Sequence, residues 1–154
     1  MTDFSLVGNF SYSGEGWGIC NNGKNFIMSN GTSDLSFRSL DSFEIEKTIT
    51  VTLNGVEVNK INELECIDDI ILANIWLEDR IIGINSSSGI IEFFISTTNL
   101  SNNHNLGANE VLNGIAYNQS TDTYWITGKN WSSMYSVQFI PLDYTSKFEN
   151  QNKE

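Results

Sequence analysis

Short apolar runs alternate with polar clusters along most of the chain, and no long window carries apolar residues at helical spacing. Phe26-Ile27-Met28 runs into Ser29-Asn30-Gly31, and Ile70-Ile71-Leu72-Ala73-Asn74-Ile75-Trp76 runs up to Glu78-Asp79. Gly89-Ile90-Ile91-Glu92-Phe93-Phe94-Ile95 comes after the polar turn Asn85-Ser86-Ser87-Ser88. Runs of this length, rich in β-branched and aromatic residues and bounded by Gly, Asn, Asp and Ser, predict strands. A single proline, Pro141, leaves them uninterrupted. The pattern predicts an all-β protein.

The strands recur in a longer period. Glu15-Gly16-Trp17-Gly18-Ile19-Cys20 aligns with Ile61-Asn62-Glu63-Leu64-Glu65-Cys66 and then with Leu112-Asn113-Gly114-Ile115-Ala116-Tyr117, at offsets of 46 and 51 residues. Downstream, Asp34-Leu35-Ser36-Phe37 matches Arg80-Ile81-Ile82-Gly83. A unit of about 40–50 residues with about four short strands is the signature of propeller blades, whose first strands line a central channel. A β-sandwich offers similar strand spacing, but the repeat favours blades. The period predicts three blades, over 11–58, 59–107 and 108–141, as a partial propeller. Residues 4–10 read as the outer strand of a preceding blade, and 142–154 as a polar tail.

Composition narrows the partners. Nineteen acidic residues against eight basic ones leave a net charge of −11, without a long acidic run. Nucleic acid and anionic membranes both need a basic surface, so neither is expected as a partner. No window of about 18 apolar residues exists to span a bilayer, and the start Met1-Thr2-Asp3-Phe4 lacks the pattern of a secretory signal. Cys20 and Cys66 make neither a metal signature nor a disulfide framework. His104, the single histidine, lies in the polar stretch Ser101-Asn102-Asn103-His104-Asn105 without a second ligand nearby; an exposed loop residue is the expectation, and no metal site.

The unit starts carry more than strand chemistry. Gly14-Glu15-Gly16-Trp17-Gly18, Asn62-Glu63-Leu64-Glu65, Ala73-Asn74-Ile75-Trp76, Val111-Leu112-Asn113-Gly114-Ile115-Ala116-Tyr117 and Thr127-Gly128-Lys129-Asn130-Trp131 succeed one another in order. Each is weak alone. Together, over about 10–137, they resemble the plant- and bacterial-type glutaminyl-peptide cyclotransferases. The resemblance implies a five-bladed propeller that converts the N-terminal glutamine of peptides to pyroglutamate and releases ammonia. It implies no cofactor, since the family does without the catalytic zinc of the animal enzymes, and a mostly secreted or periplasmic setting. By motif match it places Trp17, Asn62, Trp76 and Lys129 at the channel mouth, where substrate binds.

The chemistry suits those residue types. Cyclisation is intramolecular, so an enzyme gains by holding the folded conformer, stabilising the oxyanion and moving a proton from amine to leaving group. Asn62 and Lys129 can donate to the developing oxyanion, while Trp17 and Trp76 can wall the pocket. With a two-residue insertion in the third unit, Trp76 and Lys129 occupy equivalent places at the end of a blade's second strand. Asn62 and Asn113 are equivalent on the first strand. The bland readings are core tryptophans, a turn-forming asparagine and a solvated lysine. The sequence also departs from the family pattern. Two motifs of the Phe-x-x-Gly-Leu kind, one holding the glutamate thought to shuttle the proton, are absent, Asn30 replaces an aspartate, and Ser132 replaces a proline. From the residues alone, Glu15 is the first stand-in for that glutamate and Glu63 the second. The alternative function is a non-catalytic module binding peptides or partner proteins on the same surface. Three blades do not close a five-bladed ring, so the expectation is a fragment of a longer chain, a homo-oligomer that closes the ring, or an open relative.

Overall fold

The computed structural model describes residues 4–101 and 110–140, which form three successive antiparallel meanders. Strands β1 (Gly18–Asn21), β2 (Asn25–Ser29), β3 (Asp34–Ser39) and β4 (Ile45–Thr50) make the first sheet in chain order. A two-residue hairpin comes next, β5 (Thr52–Leu53) and β6 (Val56–Glu57). Its turn, Asn54-Gly55, has φ of 52° and 79°, the doubly positive geometry that matches strand twist and that Asn-Gly accommodates. The second sheet holds β7 (Ile61–Ile67), β8 (Ile70–Ile75), β9 (Arg80–Asn85) and β10 (Ile91–Ser96), with one helical turn, α1 (Thr98–Ser101), after it. The third sheet holds β11 (Leu112–Asn118), β12 (Thr123–Gly128) and β13 (Tyr135–Val137).

The period read from the sequence is physical. Strands β3 and β9, and likewise β4 and β10, start 46 residues apart, and β7 and β11 start 51 apart. Strand β12 starts 53 residues after β8. The two extra residues sit in the turn between β11 and β12, which spans 119–122 where the preceding unit needs only 68–69. The first strands neighbour one another, with β7 between β1 and β11, as in a propeller.

Packing explains why the second unit carries the longest apolar run. Along β8, Ile71, Ala73 and Ile75 join a cluster with Ile27, Leu35 and Val51 of the first unit. Between them, Leu72 joins Leu112, Ile115 and Ile126 of the third. Strand alternation sends successive side chains to opposite faces, and both faces of this sheet are covered. A strand buried on both faces must be apolar throughout.

One expectation is corrected. Cys20 and Cys66 form a disulfide, with Cα atoms 5.5 Å apart. Each stands one residue before the last paired residue of its strand, Asn21 opposite Phe26 and Ile67 opposite Ile70. Adjacency of β1 and β7 brings them into bonding range, which a count of cysteines does not anticipate. Residues 4–10 pair with no strand among the described residues. Phe4, Leu6 and Val7 are exposed, while Phe10 stacks on Phe43 at 5.4 Å and Tyr12 packs on the same ring at 5.8 Å. The aromatics of this segment serve to fasten it to the turn between β3 and β4, where the Arg38 guanidinium lies 4.9 Å from the Phe43 centroid. His104 and 142–154 lie outside the described residues.

Candidate active site

The three units present the same end of their sheets to one cleft. In each, the start of the first strand pairs with the end of the second, Gly18 with Ser29, Ile61 with Ile75 and Leu112 with Gly128. The residues leading into each first strand therefore converge with those just past each second strand. The cleft has a volume of about 750 Å³ and is lined by Trp17, Asn62, Trp76, Asn113, Lys129 and Asn130, with Gly16 and Val111. The four residues placed together by motif all line it. Glu15 does not, but its carboxylate accepts the Trp17 indole N–H at 2.6 Å.

Backbone detail sets each side chain. Trp76 and Lys129 stand one residue past β8 and β12, and their backbone N–H groups donate to the equivalent carbonyls of Lys60 (2.9 Å) and Val111 (2.8 Å). Trp17 donates its backbone N–H to the Ser29 carbonyl at 3.0 Å, and its indole lies over Gly31, where φ is +84° and a β-carbon would come within 2.7 Å of the ring. Glycine at 31 thus serves both the turn and the indole. The two indoles meet edge to face, 5.7 Å between centroids and 86° between planes, a favoured aromatic geometry. At Gly18 a side chain would collide with the Asn62 carbonyl, so β1 approaches β7 closely at the mouth.

The asparagines stand on matching bulges. Asn62 and Glu63 fall between the pairs Ile61–Ile75 and Leu64–Ala73, and Asn113 and Gly114 between Leu112–Gly128 and Ile115–Ile126. A bulge re-aims side chains locally. Asn62 is 4% exposed; its carbonyl accepts Ser29 Oγ–H at 2.7 Å, and its side-chain amide lines the cleft. Asn113 has its Oδ1 buried and without a hydrogen-bond partner among the described residues. A buried polar atom without a partner is costly, unless a ligand supplies one. Neighbouring Gly114 donates its N–H to Asn74 Oδ1 at 3.1 Å, tying the third unit to the second.

The carboxyls beside the site differ. Burial, and after it the charge of Glu65, raises the proton affinity of Glu63 above the ordinary carboxyl value of 4.5. Burial raises that of Glu65 too, countered by the Tyr117 backbone N–H, which it accepts at 3.3 Å. No group of three or more His, Cys, Asp or Glu among the described residues could hold a metal ion. Asn113, Asn130, Gly16 and Val111 are the lining residues absent from the motif-based set. The equivalence of Asn113 with Asn62 was the signal available for the first of them.

A family model described as glutamine cyclotransferase matches residues 1–139. A glutaminyl-peptide cyclotransferase of Arabidopsis thaliana is 32% identical over 127 residues, covering 80% of this chain and 40% of that protein. The crystal structure of Myxococcus xanthus glutaminyl cyclase aligns with a TM-score of 0.82 and 33% identity, over 87% of this chain and 59% of that one. The chain thus spans about half the length of these relatives.

Proposed function

Because the chain belongs to the glutamine cyclotransferase family, we propose that its cleft binds the N-terminal glutamine of a peptide and cyclises it to pyroglutamate with release of ammonia. The observation that carries this reading is the convergence of two tryptophans, a lysine and the side chains of Asn62 and Asn113 in one cleft. In the reaction the α-amine nitrogen attacks the γ-carboxamide carbon, a C–N bond forms, and the carbonyl oxygen becomes an oxyanion. The amine gives up a proton, the leaving nitrogen gains one, its C–N bond breaks and ammonia departs.

Each residue has a part. Trp17 and Trp76 form an apolar corner that folds the glutamine side chain back on its own amine, the near-attack geometry that removes most of the entropic barrier. Asn62 Nδ2–H and the Lys129 ammonium donate to the oxyanion. Glu15, held to the Trp17 indole, is the carboxylate we assign to proton transfer. Glu63 is the competing carrier, favoured by its raised proton affinity and its place beside Asn62 on the β7 bulge.

The test is ammonia release from a Gln-initiated peptide. Lys129→Ala should lower kcat roughly 100-fold, the usual cost of one oxyanion donor. Glu15→Gln should also abolish most turnover while Glu63→Gln retains it; the reverse result moves the proton to Glu63. Peptide binding without turnover by the unaltered chain would show a binding module instead.

A further inference from the structure

The chain carries a net charge of −11, yet two of its lysines stand at the mouth of one cleft. Lys129 lines it. Lys60 stands beside it, with its ammonium 5.9 Å from the centroid of the Trp76 ring. Both are exposed, and among the described residues neither has a carboxylate within ion-pair distance. The Glu15 carboxylate, which adjoins the same mouth, is engaged with the Trp17 indole.

The backbone at Lys60 fixes its place. Its φ is +65°, a left-handed turn conformation that Phe43, Asp68 and Asp122 share elsewhere in the chain. Its N–H donates to the Gly31 carbonyl and its own carbonyl accepts the Trp76 N–H, both at 2.9 Å. Lys60 is thus pinned at the seam between the first and second units and turned toward the tryptophan corner. A glutamine held against the corner of Trp17 and Trp76 has its next residue about 3.5 Å further along the chain, on the scale that separates the Lys60 ammonium from the Trp76 ring.

Resting on the cyclotransferase reading, we propose that Lys60 is a specificity-determining residue that favours substrates with a carboxylate immediately after the reacting glutamine. The carboxylate comes either from an acidic second residue or from the free C-terminus of a dipeptide. The chain's net charge of −11 disfavours anionic peptides in general, and the two mouth lysines offset that locally.

The experiment compares the apparent affinities of Gln-Ala-Ala-amide, Gln-Glu-Ala-amide, Gln-Lys-Ala-amide and the free acid Gln-Ala, read as KM from initial rates of ammonia release or, where there is no turnover, by calorimetry. The glutamate peptide should bind about threefold more tightly than the neutral one, and the lysine peptide more weakly by a similar factor, the scale of a partly exposed ion pair. The free dipeptide acid shows whether the C-terminal carboxylate serves equally. In Lys60→Glu the ratio of glutamate to lysine peptide should invert, whereas Lys24→Glu, in the far turn between β1 and β2, makes the same change in net charge and should retain it. A purely structural role of Lys60 would lower all affinities together and leave the ratio, which overturns the proposal. Equal binding of all four peptides by the unaltered chain overturns it alone, and binding of none overturns it together with the cyclotransferase reading.

Discussion

The two seams of the molecule are built differently, and the cleft straddles both. Between the first and second units, the Cys20–Cys66 disulfide joins the innermost strands over a core of Ile27, Leu35, Val51, Ile61 and Leu64. Ser29 and Lys60 add hydrogen bonds to Asn62 and Gly31. Between the second and third, the apolar cluster among the described residues is smaller, and the ties include the Asn74 amide and the Glu65 carboxyl, each accepting a backbone N–H of β11. One seam carries a covalent bond; the other draws on a buried amide and a titrating acid. Trp17, Asn62 and Trp76 belong to the first seam and Lys129 to the third unit. The tryptophan wall of the cleft is therefore tied to the disulfide-linked seam, and Lys129 to the other.

Breaking the covalent seam should have the largest effect. Cys20→Ser with Cys66→Ser removes a bridge across 46 residues, at an expected cost of about 2–4 kcal/mol. Thermal unfolding with and without reductant should show the loss in the unaltered chain and no reductant effect in the variant. If reductant leaves the midpoint unchanged, the packing of Ile27, Leu35 and Leu64 alone holds this seam.

Breaking the polar seam should cost less. Asn74 is fully buried, and Asn74→Ala would orphan the Gly114 N–H at an expected cost of about 1–3 kcal/mol. Because Gly114 adjoins Asn113 on the cleft, this change should also weaken peptide binding, which a comparable loss at Ile27 would not do through that route. Urea unfolding and peptide titration of the same samples separate the two effects.

The smallest effect tests the acid. Burial raises the proton affinity of Glu65 in the folded chain, so the folded state holds its proton to higher pH than the unfolded state does. The associated stability is complete below the ordinary value of 4.5 and is lost as pH rises through the raised value. Unfolding midpoints should therefore decline as pH rises above about 4.5, and Glu65→Gln should flatten that slope. An unchanged slope would shift the cause to Glu63, whose proton affinity is raised by the same physics.

The contrast between the seams was only partly legible in the sequence. The continuous run Ile70–Ile75 was legible as a strand, though not as one covered on both faces, and the offset of 46 residues placed Cys20 and Cys66 at corresponding points. Their bond nevertheless required knowing that corresponding points on β1 and β7 are spatial neighbours. Asn74 was visible as part of a motif, but its amide serves the third unit rather than the cleft itself.

What the sequence by itself determined is local and periodic: strands, turns such as Asn54-Gly55, the repeat, and the two-residue insertion that makes Trp76 and Lys129 equivalent. These arise from side-chain alternation and turn chemistry, which act within a few residues. Only the tertiary structure decided the disulfide, the irregular course of 4–10, the bulges that aim Asn62 and Asn113, and the approach of Lys60 to Trp76. Each depends on where one unit meets another, and that distance is a property of packed sheets rather than of neighbouring residues in the chain.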